Sequence, residues 1–333
     1  KIDNVSVKDI TFSTDVDLSR INYDSNGVNG HILLEPTSTN LVTYSEDFSD
    51  SSWAKTNCTI NSNNSISPEG TQNADKLDFT TSNGEIVRTT SFVSGQEYTM
   101  SFYAKTESGT LDFYYGNMDY TMNSGTATTE WQRFKITQTL PSATRFPKIQ
   151  TTEIGSLLLW GFQIEQLSYA TSYIPTLTGS TVTRATETLT GSGNSTLINS
   201  TEGVLYAEIA ALANGGADRS IVLSDGTTSN YLRITLHANS NRLAFFSEKG
   251  VNYNNYDFSQ TSDLKMAFQY KEDDWKIYIN GTLKGTDTSA LTFSPNTLSD
   301  LSFSLANNNP FYGKVKALAV FNEALSDTEL ENL

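Results

Sequence analysis

The sequence predicts an all-β protein made of two antiparallel β-sandwiches followed by a short C-terminal helix. β-Branched and aromatic residues are abundant, with 16 Tyr and 17 Phe in 333 residues, and such residues favour half-buried pleated surfaces. Apolar and polar residues alternate over short stretches separated by polar turns, which is typical of antiparallel sheets with one buried face. Steps such as Asn280-Gly281 lie between these stretches and favour hairpin turns.

Strand patterns fill residues 40–175, which we interpret as the first sandwich. In "QEYTMSFYAKT" the residues predicted to share one face are Tyr98, Met100, Phe102 and Ala104. In "SLLLWGFQIEQ" the same alternation predicts one face made of Leu158, Trp160, Phe162 and Ile164. Residues 176–201 lose the aromatics and are rich in Thr, Ser and Gly, so we interpret them as an inter-domain linker.

The second sandwich is predicted over residues 202–333. In "DWKIYINGTLKG" one face of a strand carries Trp275, Ile277 and Ile279, and Asn280-Gly281 supplies the hairpin turn. In "NEALSDTELENL" Ser326 precedes Glu329 by three residues, a capping box that predicts the start of a short helix. The four tryptophans, Trp53, Trp131, Trp160 and Trp275, lie in or beside apolar strand patterns and are expected in the cores.

The charge balance argues against nucleic-acid and membrane partners. The net charge is −15, from 37 acidic and 22 basic residues, and no basic cluster interrupts it. A surface that follows phosphates needs such a cluster, and anionic membranes repel this balance. No run of 18 apolar residues occurs, so no membrane-inserted segment is expected. Cys58 is the only cysteine, which excludes an intrachain disulfide.

Catalytic patterns are scarce, and we expect no enzyme activity. The two histidines, His31 and His237, are about 200 positions apart and are expected in different domains. No G-x-S-x-G, Walker or dinucleotide glycine pattern is present. A glycosidase needs paired carboxylates on facing strands, whereas the acids at 272–274 occupy a predicted turn.

An oxygen-rich loop is a candidate calcium site. "YSEDFSD" offers Glu46, Asp47 and Asp50 beside backbone carbonyls, the ligand type that Ca²⁺ prefers. Asp225 in "LSDGTTSN" marks a second, weaker oxygen cluster. The alternative for each site is that the Asp caps a turn through its own backbone.

Two clusters of tyrosines and amides are the candidate sugar-binding sites. A flat ring can contact the apolar face of a pyranose while polar neighbours bind its hydroxyls. The first cluster, in "LDFYYGNMDYTMNSG", consists of Tyr114, Tyr115, Asn117 and Tyr120. The second, in "KGVNYNNYDFSQ", consists of Tyr253, Asn254, Asn255 and Tyr256. The alternative is that these are amphipathic rings at loop edges.

Several motifs of the first sandwich resemble a known module. "LLEPTSTNLVTYSEDF" opens the matching region and "WGFQIEQLSYATSYIPTLTGSTVTRA" closes it. This pattern is similar to a carbohydrate-binding-like module that recurs in phage tail and fibre proteins. The resemblance implies a β-jelly-roll over residues 40–175, usually non-catalytic, often with a structural Ca²⁺ near the opening loop.

The flanking segments also resemble parts of known modules. Residues 202–333 are similar to a laminin-G or concanavalin-like sandwich through "GVLYAEI", "WKIYINGTLKG" and "FYGKVKALAVFNEALSDTELENL". "IDNVSVKDI" resembles the last strand of a preceding jelly-roll, so residues 1–10 are expected to be the end of an upstream module. Residues 11–39 resemble the connectors of tandem arrays.

These observations favour a non-catalytic glycan-recognition and adhesion portion of a phage tail or fibre-like virion protein. The expected partner is a host cell-surface glycan, and other virion proteins or identical chains, as in a trimer, are further expected partners. The expected location is the virion or the extracellular space. One alternative is a structural spacer or decoration protein of the virion. Another is a set of accessory binding modules of a secreted polysaccharide-degrading enzyme.

Overall fold

The computed structural model describes residues 20–23, 30–117, 122–140, 144–145, 147–189 and 192–333. These residues form two compact units, one containing residues 36–186 and the other containing residues 187–333 with the described part of residues 1–35. Antiparallel sheets account for nearly all the regular structure, and one short helix ends the chain. The predicted all-β sandwich architecture is confirmed.

The strands of the first half of the chain are β1 (Arg20–Asn22), β2 (His31–Leu34), β3 (Ser38–Asn40), β4 (Trp53–Thr56), β5 (Cys58–Ile66), β6 (Gln72–Phe79), β7 (Gly84–Arg88), β8 (Thr90–Ser91), β9 (Gln96–Lys105), β10 (Leu111–Asn117), β11 (Met122–Ala127), β12 (Gln132–Leu140), β13 (Thr144–Arg145), β14 (Pro147–Thr151), β15 (Gly155–Glu165) and β16 (Val182–Arg184). The second half contains β17 (Glu202–Ala211), β18 (Arg219–Ser224), β19 (Tyr231–Leu236), β20 (Arg242–Ser247), β21 (Asn252–Asp257), β22 (Leu264–Lys271), β23 (Trp275–Ile279), β24 (Thr282–Asp287), β25 (Asp300–Ser302), β26 (Gly313–Phe321) and the helix α1 (Asp327–Glu331).

The 36–186 unit is a sandwich of two five-stranded sheets. Their strand orders are β11-β10-β14-β7-β4 and β12-β9-β15-β6-β5. The inner faces enclose an aromatic core in which the rings of Phe102 and Phe162 stack with centroids 5.6 Å apart. Trp53 is fully buried beside Phe162, and its indole nitrogen donates to the carbonyl of Tyr44 at 3.0 Å. The alternation predicted for residues 96–106 is confirmed, because all four apolar residues of the predicted face belong to this core.

The alternation predicted for β15 is wrong in its first half. A register shift lies between Trp160 and Gln163, and Gly161 within it has a φ of 66°, which favours glycine. This β-bulge changes which residues face the core. Leu157 and Leu159 therefore join Phe162 inside, whereas Trp160 lies on the other face. Trp160 is nevertheless buried, under the ring of Tyr173 at a centroid distance of 4.6 Å.

The unit at 187–333 is a sandwich of a seven-stranded and a five-stranded sheet. Their strand orders are β1-β2-β26-β17-β22-β23-β24 and β21-β20-β19-β18-β25. The core includes Trp275, Phe268 and Phe245. Asn280 and Gly281 both have positive φ, as the predicted hairpin turn requires. The predicted capping box is also confirmed, because Ser326 and Glu329 exchange hydrogen bonds at the start of α1.

The unit boundaries differ from the predicted connector (11–39) and linker (176–201). Strand β2 pairs with β26 and buries Leu34 in the core of the 187–333 unit. Strand β3 pairs with β16, which extends the other sandwich to residue 186. β2 is paired on both sides, with β1 and β26, whereas β3 and β16 form a separate two-stranded sheet; both pairings join residues far apart in sequence, which composition and alternation do not reveal. The strand predicted at residues 1–10 lies outside the described residues.

Candidate functional site

The first predicted sugar-binding cluster is divided between two faces of β10. Tyr114 points outward with 46% of its surface exposed, whereas Tyr115 is 6% exposed and Asn117 is 4% exposed. Successive strand residues point to opposite faces, and Leu111, Phe113 and Tyr115 take the inner one. The hydroxyl of Tyr115 donates to the carbonyl of Lys135 at 3.3 Å. Tyr115 is therefore a core residue rather than a sugar platform.

Asn117 is also removed from any surface that a sugar could contact. It lines a small pocket of about 20 Å³ with apolar side chains that include Met100 and Ile136. A cavity of this size holds about one water molecule, so it excludes a pyranose. Tyr120 lies outside the described residues. Of this cluster, Tyr114 alone is shown at the surface among the residues that the structure describes.

Tyr114 has polar neighbours on the outer face of its sheet. In the strand register it lies opposite Ser124 on one side and Gln150 on the other, and Gln150 lies opposite Glu85. Glu85 forms an ion pair of 3.0 Å with Lys148. We call this surface the Tyr114 face: Tyr114, Ser124, Gln150, Glu85 and Lys148. It combines an exposed ring with hydroxyl, amide and charged groups, the mixture that binds sugars selectively.

The second predicted cluster is divided in the same way. Residues Ala244 and Leu243 of β20 face Asn254 and Tyr256 of β21, which leaves Asn255 as the extra residue of a β-bulge. The bulge turns Tyr253 and Tyr256 to the same side, where both pack against the core. Asn254 is exposed, and the side chain of Asn255 lies outside the described residues.

The two tyrosines connect the edges of the two sheets. The hydroxyl of Tyr253 donates to the carbonyl of Thr286, and that of Tyr256 donates to the carbonyl of Lys284 at 3.1 Å. Both acceptors belong to β24, the edge strand of the seven-stranded sheet. Burial raises the pKa of both phenols. The hydroxyls are therefore engaged in the fold, whereas the rings are only half-buried, so a sugar-binding role for this pair remains a prediction.

A surface that the sequence did not single out lies on the outer face of the same five-stranded sheet. Arg233 of β19 lies opposite Phe246 of β20, which in turn lies opposite Asn252 of β21. The guanidinium carbon is 4.8 Å from the ring centre of Phe246 and 5.9 Å from that of Tyr231. We call this surface the Arg233 face: Tyr231, Arg233, Phe246, Asn252 and Asn254. In "YLRITL" the alternation predicts that Arg233 faces outward, but only the register reveals its neighbours.

The acids predicted to bind calcium are engaged in their own loop. Asp47 accepts hydrogen bonds from the backbone and side chain of Ser49, at 3.0 and 2.6 Å. Asp50 does the same with Ser52, at 2.8 and 2.5 Å. Such turns are the alternative that the sequence left open. In the described ranges no group of three His, Cys, Asp or Glu side chains is placed to hold a metal ion. Calcium at this loop remains a prediction.

Glu46 and the neighbouring Asp75 are carboxyls with raised pKa values. Burial raises the pKa of Glu46, which accepts hydrogen bonds from Tyr173 at 3.0 Å and Asn73 at 2.8 Å. Burial also raises the pKa of Asp75 to about 6. The two oxygens of Asp75 accept from the backbone N–H groups of Phe48 and Asn63, at 2.9 and 2.8 Å. Because Asp75 is only 1% exposed, it organises the loop and is closed to a substrate.

The histidines occupy the same unit rather than different ones. His31 belongs to β2, which joins the seven-stranded sheet of the 187–333 unit. His237 follows β19, and its Nδ1 accepts from the backbone of Asn239 at 3.0 Å. His31 is buried. Separately, no helix in the described part of the chain has the length and apolar character needed to cross a membrane.

Comparisons with known proteins give one family match and several distant structural similarities. No curated protein sequence matches the chain. Domain 4 of AbnA, a GH43 extracellular arabinanase from Geobacillus stearothermophilus in complex with arabinotriose, is similar with a TM-score of 0.36 and 13% identity, covering 46% of this chain and 72% of that one. The CBM40 of the Ruminococcus gnavus IT-sialidase bound to α2,3-sialyllactose gives a TM-score of 0.35 and 15% identity, covering 44% and 95%.

The family match falls on the C-terminal sandwich. Residues 192–331 match the model of the concanavalin A-like lectin/glucanases superfamily, and the predicted concanavalin-like domain is thereby confirmed for this part of the chain.

Proposed function

We propose that the chain is a non-catalytic glycan-recognition portion of a phage tail or fibre-like virion protein and that it binds a host surface polysaccharide. The observation that carries this proposal is the exposure of Tyr114 on a polar sheet face. The exposed part of an aromatic ring retains apolar surface for a ligand. The family match at residues 192–331 supports the same class of ligand through its lectin members.

The neighbours of Tyr114 supply the polar half of a sugar site. The side chains of Gln150 and Ser124 have no hydrogen-bond partner among the described residues. They are therefore available to sugar hydroxyls on either side of the ring. Lys148 is held by Glu85 at 3.0 Å, which fixes its ammonium and orients the carboxylate. A sugar stacked on Tyr114 would meet donors and acceptors from two adjacent strands.

The proposed non-catalytic role rests on the accessibility of the candidate acids. Burial raises the pKa of both Glu46 and Asp75, and that of Asp75, about 6, lies in the range expected of a general acid. Asp75 is buried and hydrogen-bonded to backbone through both oxygens, so a glycosidic oxygen has no path to it. The upstream sequence would separate the virion role from that of an accessory module in a secreted polysaccharide-degrading enzyme.

A glycan array with the full chain tests the proposal. We expect binding to a polysaccharide of the host surface, and we expect Tyr114→Ala to weaken it by about tenfold, the effect of losing one stacking contact of roughly 1.4 kcal/mol. Tyr115→Phe is the matched control, because it changes the adjacent tyrosine on the inner face and should leave binding unchanged. Equal binding by Tyr114→Ala and the unmodified chain would reject the Tyr114 face as the site. Absence of binding to every glycan would favour the structural spacer role.

A further inference from the structure

Arg233 lies near the middle of the five-stranded sheet of the 187–333 unit. Its strand, β19, is flanked by β18 and β20, and each of these is flanked by another strand. On its outer face Arg233 has Val222 on one side and Phe246 on the other. The side chain is half-buried, and Val222 beside it is fully buried. A cation at such a position gives up much of its hydration.

The guanidinium has no partner that replaces this hydration. Nε and Nη1 of Arg233 are buried and make no hydrogen bond. No carboxylate of the described residues forms an ion pair with Arg233, although the chain carries 37 acids against 22 basic residues. Buried donors without acceptors are costly, and those on a charged group most of all. The rings of Phe246 and Tyr231 offset only part of this cost, since they satisfy no N–H donor.

The other groups on this face fit a sugar that carries a carboxylate. Nη2 of Arg233 is not among the buried nitrogens, so a carboxylate can reach the guanidinium through Nη2 and form a charge-assisted hydrogen bond there. Phe246 and Tyr231 supply apolar surface next to that charge. Asn252 and Asn254 are exposed on the same face, and Nδ2 of Asn254 donates a hydrogen bond of 3.1 Å to Oδ1 of Asn252. The N–H and carbonyl groups that this bond leaves unused can bind ring hydroxyls.

We propose that the Arg233 face binds an acidic sugar residue of a glycan, with the sugar carboxylate paired to the Arg233 guanidinium. This site lies outside the unit that contains the Tyr114 face, so it goes beyond the proposed function and assigns a second ligand class. The net charge of −15 opposes long-range attraction of polyanions. The ligand is therefore a glycan with isolated acidic residues, recognised at short range.

Paired probes test the carboxylate directly. The full chain is presented with oligosaccharides that contain glucuronate, galacturonate or N-acetylneuraminate, each beside its own methyl ester. Esterification removes the charge and keeps the sugar skeleton. We expect at least one acid to bind about tenfold or more tightly than its ester, the value of one charge-assisted hydrogen bond. If no acid binds better than its ester, or if sulfated analogues bind and carboxylated ones do not, the proposal is wrong.

Variants assign the preference to Arg233. We expect Arg233→Gln to abolish the preference for acid over ester and Arg233→Lys to retain part of it, because lysine keeps the charge and lacks the planar guanidinium. Lys314→Gln, which removes one positive charge from β26 in the other sheet, should retain the full preference. Tyr114→Ala should also retain it, which separates failure of this site from failure of the Tyr114 face. A preference that survives in Arg233→Gln would overturn the assignment.

The stability of the ligand-free chain gives a second, independent readout. If Arg233 serves ligand binding rather than stability, replacing it with an apolar side chain of similar length should stabilise the ligand-free fold, because buried donors without partners are removed. We therefore expect Arg233→Met to raise the midpoint of thermal unfolding. A residue that served the fold through its contacts with Phe246 and Tyr231 would give the opposite result. A lower unfolding midpoint for Arg233→Met would contradict the proposal independently of the binding assays.

Discussion

The hydroxyl of Ser38 donates a hydrogen bond of 2.6 Å to a carboxylate oxygen of Glu165, although 127 residues separate the two in sequence. Glu165 is fully buried and accepts three further hydrogen bonds, from the side chain of Gln163 at 2.6 Å and from the backbone and side chain of Thr171. It therefore joins the strand that opens the 36–186 unit to the segment that closes it. The two motifs that resemble a known module, one at the start and one near the end of this unit, are therefore joined in this structure by the hydrogen bonds of Glu165.

Removal of the Glu165 carboxylate should destabilise this unit strongly. We expect Glu165→Ala to lower the free energy of unfolding by about 3 kcal/mol, because several buried donors lose their acceptor at once. Glu153→Ala, an exposed acid in the same unit, is the matched control and should change it by less than about 0.5 kcal/mol. Urea unfolding measures both. Similar changes for the two variants would show that the hydrogen bonds of Glu165 contribute little to the free energy of unfolding.

Asp75 should make part of the stability depend on pH. Its pKa is raised to about 6 in the folded chain from a usual 3.8, so the folded state holds this proton more tightly than the unfolded state does. Its contribution is therefore fully present below about pH 4 and is lost as the pH rises through about 6. The loss amounts to about 2 kcal/mol, allowing for some solvent screening.

Asp75→Asn removes this titration. We expect the variant to be least stable relative to the unmodified chain near pH 4, and the difference to shrink by about 2 kcal/mol near pH 7.5. Comparing the two proteins at each pH cancels the effect of the other carboxyls. A difference that stayed constant, or grew with pH, would contradict the raised pKa.

The tyrosines of β21 should matter for stability rather than for binding. Tyr253→Phe and Tyr256→Phe each remove one hydrogen bond to β24, and we expect a loss of about 1 kcal/mol for each. Gly285→Ala should cost more, because the added Cβ would lie 2.9 Å from Cε1 of Tyr253 and 2.9 Å from the hydroxyl of Tyr256. Chemical unfolding measures stability and the glycan array measures binding. Weaker glycan binding by the folded Tyr253→Phe or Tyr256→Phe variant would show that these residues belong to a glycan-binding site.

The loop at residues 46–50 provides a test of the calcium prediction. We expect Asp47→Ala and Asp50→Ala to lower the midpoint of thermal unfolding through loss of their turns. Since these turns involve no metal, the loss should be the same in calcium and in EDTA. A midpoint that rises with calcium in the unmodified chain, and no longer does so in either variant, would establish a calcium site at this loop.

The sequence predicted the fold more fully than the site, and the reason lies in the local periodicity. Strict alternation predicted the core positions of β9, the Asn280-Gly281 turn and the Ser326 capping box, since each depends on nearby residues only. The predicted faces of β15 failed where a bulge at Gly161 breaks the alternation. A bulge leaves little trace in composition. The first predicted cluster joined Tyr114 and Tyr115 for a different reason, because it grouped neighbouring residues without assigning them to opposite faces of a strand.

The neighbours of Tyr114 and Arg233 could not be predicted for a different reason. Gln150 lies beside Tyr114 because β14 pairs with β10, and Phe246 lies beside Arg233 because β20 pairs with β19. Surface sites on sheets are assembled by strand register, and register depends on the whole sandwich. Alternation predicts which side chains point outward, whereas only the pairing shows which of them meet.

The central claim is that the exposed ring of Tyr114 marks a glycan-binding surface. The most direct measurement is the affinity of the full chain and of Tyr114→Ala for the host polysaccharide, with unfolding midpoints measured on the same samples. The account predicts binding by the unmodified chain, about tenfold weaker binding by the variant, and equal midpoints. Equal affinities at equal midpoints would contradict it.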